Sequence, residues 1–178
     1  KMNTTTITVE EYAMDYSIGK IPAEFMKKIN SSYTNDIQQS QLAPPEYQRK
    51  NVWTQKENRL YVSSVIEEMA YNPIIVIDVE KCLKHSIAKS EKYSIKMFKK
   101  YNDAGIKFLS IDGQNRSHAI TGFLCGRFPM VGTITDKKGR VYEFGDGSYF
   151  HELEENIRER IVNKPVLMQV IKAATFEE

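Results

Sequence analysis

Cysteine is scarce, with two among 178 residues, Cys82 beside Leu83 and Cys125 after Phe123 and Leu124. Two thiols make no disulfide framework, and a reduced, cytoplasmic setting suits them. Long hydrophobic runs are missing as well. The longest, residues 73–77, is far too short to span a bilayer, and no stretch has the pattern of a signal peptide. No sign of charge dominates: 25 Lys and Arg against 23 Asp and Glu leave +2, too little to require a nucleic-acid partner. The three histidines and two cysteines have no zinc-site spacing, and no Ser/His/Asp order forms a triad. G-x-x-x-x-G-K-[ST] does not occur, which excludes a P-loop NTPase. Internal repeats and low-complexity segments are also missing.

The residues present are those of a globular domain. Apolar residues make up 41% and charged residues 27%, enough to bury a core over one ordinary domain length, so residues 1–178 are expected to form a single domain. Thr8-Val9-Glu10-Glu11 has capping-box spacing and predicts a short helix from Val9 to the stop at Gly19. Pro22 opens a second short helix that gives way to a polar loop through residue 39. Ala43-Pro44-Pro45 enforces extended backbone before Tyr47, Gln48 and Arg49. Thr54-Gln55-Lys56-Glu57 is a second capping box. Leu60, Val62, Val65, Ile66 and Met69 follow at helical spacing, predicting a helix over 55–70. Asn72-Pro73 breaks it, and the β-branched 74–77 run reads as a buried strand.

Residues 80–107 carry eight lysines, with Ile87, Ile95, Phe98 and Tyr101 in an imperfect helical stripe, and read as one helix. A strand over 108–111 leads into a helix ending near Cys125, with Ala119, Ile120, Phe123 and Leu124 inward and Gly126 as its stop. Residues 131–135 and 141–144 form a hairpin, 145–148 a loop with Ser148 as N-cap, 151–161 a charged helix, and 165–171 the last strand. This alternation lacks a strict βαβ rhythm. The expected class is therefore α/β or α+β with a small mixed sheet flanked by helices.

One turn stands out in FLSIDGQNRSHAITGFL. Arg116 falls in the first turn of its helix, where the dipole and the unpaired N–H groups disfavour a cation. A bound anion would reconcile the two, because amides, dipole and guanidinium would all point at one negative group. Gly113 would let backbone approach a ligand. Gln114 and Asn115 add neutral donors, and Asp112 could cap the helix, hold Arg116 or reach Mg²⁺. The plainer alternative is a capping turn in which Arg116 pairs with Asp112.

PPEYQRKNVW is a second segment of the same design: Gln48 and Arg49 precede a capped helix, with Trp53 at the boundary. If both helices start on one side of the sheet, two guanidiniums would face one pocket. Guanidinium forks match phosphate oxygens, and Trp53 would either stack on a base or simply pack.

YQR-x-x-x-W, a helix, a strand and then IDGQ-x-R opening another helix together resemble the DGQQR-motif domain of GmrSD-type modification-dependent restriction endonucleases, related to the ParB/sulfiredoxin-like fold. The similarity runs from about Thr6 to the C-terminal ATFEE, with insertions at 22–40 and 80–105. It implies a domain that binds and hydrolyses an NTP with Mg²⁺ and regulates a DNA-directed activity through a nuclease domain or subunit. On matching positions, Gln48 and Arg49 belong to the first motif. Asp112, Gly113, Gln114 and Arg116 belong to the second, around phosphates and metal. Asn115 stands where the family often has Gln, a shorter reach. Members continue past a segment like ATFEE into a helix with an Arg/Asn motif, so the resemblance implies an N-terminal fragment.

In that reading Asp112 and Gln114 are the catalytic candidates. Gln48, Arg49, Gly113, Asn115, Arg116 and Trp53 bind nucleotide, and Asp112 is the metal candidate. The alternative function is a non-catalytic DNA-binding or protein-interaction module of the same fold, with Lys81 to Lys100 following a phosphate backbone and Tyr93, Phe98 and Tyr101 as a stacking surface for single strands. A solvated helix face is the plainer expectation for those lysines. His118 is expected to pack, His151 to lie on a solvated face, and Cys125 to be a small buried hydrophobe.

Overall fold

Alternate side chains of three central strands point to opposite faces of one sheet, and each face has its own core. These strands are β3 (Ile74–Asp78), β4 (Phe108–Asp112) and β7 (Pro165–Ile171). Ile74, Val76, Phe108, Val166, Met168 and Val170 belong to the first core. Ile77 and Leu109, with Ile111 and Ile171 beside them, belong to the second. A period of two makes this division, because successive Cβ atoms leave a strand on opposite sides. The computed structural model describes residues 11–19, 21, 42–43 and 53–176. The expected helix at Pro22, the loop after it and the extended segment at Tyr47–Arg49 lie outside these.

The sheet is mixed, in the order β1-β7-β3-β4-β2, with β1 at Glu11–Ser17 and β2 at Leu42–Ala43. β1 pairs antiparallel with β7, and β7 runs parallel to β3. β3 is antiparallel to β4, which runs parallel to β2. On the first face lie α1 (Gln55–Ile66) and α4 (Gln114–Leu124), the latter burying Ala119, Ile120 and Phe123. The hairpin β5 (Met130–Thr135) and β6 (Val141–Ser148) adds Met130, Ile134, Tyr142 and Phe144, and α5 (Glu155–Val162) adds Ile161. On the second face lie α2 (Val79–Ala88) and α3 (Lys92–Asp103), through Val79, Cys82, Phe98 and Tyr101. The fold is α+β.

Several local expectations give way to tertiary context. The capping box at Thr8 does not open a helix through Glu11–Ser17; that segment is β1, drawn extended by seven paired positions on β7. Sheet pairing outweighs a local helix signal worth about 1 kcal/mol. α1 stops at Ile66 because Glu68 takes a left-handed backbone (φ 61°). Leu60 and Met69 are exposed, and Tyr61 is turned inward instead. The lysine-rich helix is two helices, separated where Ser90 takes φ 59°. The expected loop at 145–148 is the end of β6, and Ser148 donates to the Phe144 carbonyl rather than capping a helix. A 3₁₀ turn at Phe150–Glu152 and extended backbone at Leu153 delay the charged helix to Glu155. Cys125 is only half-buried.

A buried charge cluster joins the hairpin to the rest of the chain. Asp136, at the end of β5, accepts from Lys164 Nζ at 2.6 Å, Arg140 Nε at 2.8 Å and Tyr142 Oη at 3.1 Å. Its second oxygen takes the amides of Lys138 and Arg140. Lys164 also reaches Glu68 at 3.1 Å, and its side chain is 2% exposed. Burial opposes the charge on Asp136, but the hydrogen bonds from Lys164 and Arg140 win and hold its carboxyl well below the usual range. On Lys164 its own hydrogen bonds, to Asp136 first and then Glu68, outweigh burial and raise its ammonium.

Candidate functional site

β4 ends at Asp112, and α4 starts two residues later. Between them Gly113 sits at φ 95° as the N-cap of the helix. A side chain would be strained at that angle, and its Cβ would lie 3.1 Å from the Ile74 Cα. The turn therefore needs glycine both for its backbone angle and for the close approach of β3. Asp112 accepts the Gly113 amide at 2.8 Å, so it closes the turn locally. As N-cap, Gly113 has no side chain to cap the first turn of α4.

That first turn lines a cleft of about 240 Å³ together with Trp53, Ile111 and Asp112. The structure thus brings Trp53, Asp112, Gly113, Gln114, Asn115 and Arg116 around one space. Gln48 and Arg49 lie outside the described residues. Arg116 is 18% exposed, and its Nη1 donates to the Pro73 carbonyl at 2.9 Å, with Asp112 Oδ2 at 3.8 Å. The misplaced cation is thus partly explained by a carbonyl across the sheet end. Among the described residues its Nε and Nη2 meet no acceptor. A guanidinium has five N–H donors, and two of its three nitrogens are left for a ligand or water.

Gln114 and His118 stand one turn apart on α4, the Gln114 amide nitrogen 3.5 Å from His118 Nε2. Burial, with the Arg127 charge behind it, pushes the imidazole down to about 4. It is therefore neutral at pH 7 and able to accept from that amide. His151 is exposed, as expected.

Tyr61 was not among the sequence candidates. Its ring meets Trp53 edge-on at 5.6 Å. Burial pushes its hydroxyl up to about 12, against the pull of the Arg116 charge. Among the described residues the buried hydroxyl has no hydrogen-bond partner. Only a count of α1 positions from the cleft could have singled it out, since Tyr61 falls between residues of the expected apolar stripe. An orphaned buried hydroxyl is destabilising. Tyr61→Phe is expected to stabilise the unliganded chain by about 1 kcal/mol, measured by urea denaturation.

Asp112, whose side chain is 64% exposed, is the carboxylate of this turn. Among the described residues no three His, Cys, Asp or Glu side chains gather as a metal site. A lone carboxylate does fit Mg²⁺ carried in on nucleotide phosphates, since that ion keeps few protein ligands. Among the described residues no helix is long and apolar enough to cross a membrane.

These features define a class: an α+β domain whose sheet end carries a glycine-opened helix start and a partly unspent guanidinium. A family model described as the GmrSD restriction endonuclease N-terminal domain matches residues 26–175. The chain belongs to that family. Searches of curated proteins and of solved structures return no match.

Proposed function

We propose that this chain is the nucleotide-responsive domain of a restriction system, and that it binds and hydrolyses an NTP with Mg²⁺ at the Asp112–Arg116 turn. The observation that carries the reading is Arg116. One nitrogen is anchored to Pro73, and the other two are without acceptors among the described residues, beside a cleft lined by the first turn of α4. A phosphate there would meet the guanidinium fork and the positive end of the helix together. The restriction role rests on the matched family's description, and the DGQQR-motif, ParB-like kinship on the residues of the two motifs.

Under this reading Arg116, Gln48 and Arg49 hold phosphate oxygens, and Gly113 and Asn115 offer backbone close to them. Trp53 stacks on the base. Gln114, its amide nitrogen turned toward His118, offers its carbonyl oxygen to the attacking water. Mg²⁺ would supply charge neutralisation on the phosphates, with Asp112 as its protein ligand. Water adds to the terminal phosphorus, the bond to the bridging oxygen breaks, and the remaining nucleotide departs with that oxygen. Positioning and charge stabilisation then carry the rate.

Trp53 is the only tryptophan, so its emission reports on the cleft directly. Titration with ATP, GTP, CTP and UTP, with and without Mg²⁺, is expected to change that emission saturably for at least one base. At ~100 times the dissociation constant the same ligand should add roughly 2.7 kcal/mol of stability. Arg116→Ala is expected to abolish the emission change and to lower phosphate release about 100-fold. Arg116→Lys, which keeps a donor for Pro73 but loses the fork, separates anchoring from phosphate binding. A folded chain whose emission and melting temperature ignore all four nucleotides overturns the proposal.

A further inference from the structure

We infer that the outer face of α3, carrying Lys92, Lys96 and Lys99 with Lys89 just before it, is a docking strip for the phosphate backbone of double-stranded DNA. The chain's positive charge is concentrated here. Residues 89–103 hold five lysines against Glu91 and Asp103, a net +3, whereas the whole chain carries +2. Spacing of four and three residues places Lys92, Lys96 and Lys99 on one side of the helix along about 10 Å of its length.

That side cannot roll inward. Ser94, Phe98 and Tyr101 hold the opposite side against the second core. The Phe176 ring packs on Phe98 at 4.8 Å, and its amide donates to Ser94 Oγ at 2.8 Å. The lysines are therefore fixed outward by aromatic packing and by hydrogen bonding to a distant part of the chain.

Their surroundings distinguish them from the lysines of α2. Lys81 lies 3.5 Å from Asp78, and Lys84 pairs with Glu80. Lys89, Lys92, Lys96 and Lys99 are exposed, and among the described residues none has a carboxylate within ion-pair distance. The broad stretch from Lys81 to Lys100 thus narrows to one helix face. A row of uncompensated ammonium groups on a rigid helix suits a row of phosphates and reads no base. Double-stranded DNA fits better than a single strand, because two of the three expected stacking residues, Phe98 and Tyr101, are 0% and 7% exposed, and Tyr93 is half-buried. One half-buried ring is not the row of aromatic platforms on which successive unpaired bases stack.

Fluorescence anisotropy with a labelled duplex of ~20 base pairs, across a salt series and without nucleotide, tests this. Wild-type binding is expected to weaken with salt at a log–log slope of about −3, as three to four neutralised phosphates require. Replacing Lys92, Lys96 and Lys99 together by Gln should remove most of that slope and lower affinity at 50 mM salt by roughly tenfold or more. Replacing Lys81 and Lys84 by Gln should leave affinity within about twofold, because those charges are already paired. All three substituted positions are exposed, and an unchanged melting temperature verifies folding. No duplex binding at 50 mM salt, an unchanged slope in the triple variant, or tighter binding of a single strand of equal length overturns the inference. Arg116→Ala should bind duplex like wild type, so this result stands or falls apart from the nucleotide reading.

Discussion

Lys164→Met is expected to destabilise the chain by about 3–5 kcal/mol and to lower its melting temperature by on the order of 10 °C. Asp136 is the reason. Its carboxylate is fully buried and shares one oxygen among Lys164, Arg140 and Tyr142. Removing the ammonium leaves that charge in the interior with its closest partner gone, and also strips Glu68 of its 3.1 Å contact. Methionine keeps most of the volume of the lysine stem, so the loss measures charge rather than packing. Arg140→Gln tests the same cluster from its wet side. The Arg140 side chain is 36% exposed, and solvent screening should make that loss much the smaller of the two. Urea denaturation of both variants checks the ranking; equal losses would show that the cluster is not dry.

Acid should unfold the chain in two stages. His118 titrates near 6.5 when unfolded but only at about 4 when folded. As pH falls through 6.5 the unfolded chain takes up a proton that the native chain refuses, so stability declines until pH 4, where both forms are protonated. The loss over that span is about 3 kcal/mol. Asp136 adds a second limb with the same sign. Its native carboxyl titrates well below the ordinary 3.8, so its contribution is complete above that value and fades as pH drops through it. Denaturation at half-unit pH intervals separates the limbs, and His118→Leu should flatten the span from 6.5 to 4 while leaving the lower limb. A wild-type profile that is already flat there would contradict the burial of this imidazole.

The readings that succeeded depend on neighbours in sequence. The strand at 74–77 followed from β-branched residues after a breaking Asn-Pro, and the hairpin from the turn Asp136-Lys137-Lys138-Gly139. The start of α4 followed from Asp112-Gly113, and Gly126, at φ 75°, stands just past its end as expected. The Asp112–Arg116 turn was legible for the same reason: five adjacent residues contain its geometry. The partner of Arg116 was not, because Pro73 is 43 residues away.

Tertiary contacts made the remaining decisions. Glu11–Ser17 carried a helix signal and became a strand because β7, more than 140 residues later, offered an edge to pair with. Lys164, Asp136 and Glu68 are ordinary surface residues by type. They form a buried cluster because contacts across 28 and 96 residues make mutual neutralisation more favourable than hydration for all three. The lysines of 80–107 were visible as a count, but only the packing of Phe98, Tyr101 and Phe176 separated the compensated charges of α2 from the exposed row on α3. Sequence alone determined where the chain turns, caps and alternates, since those preferences act over four or five residues. Which faces meet, and therefore which charges stay unpaired, was decided by the tertiary structure, because burial and Coulomb energy depend on distances that sequence order does not contain.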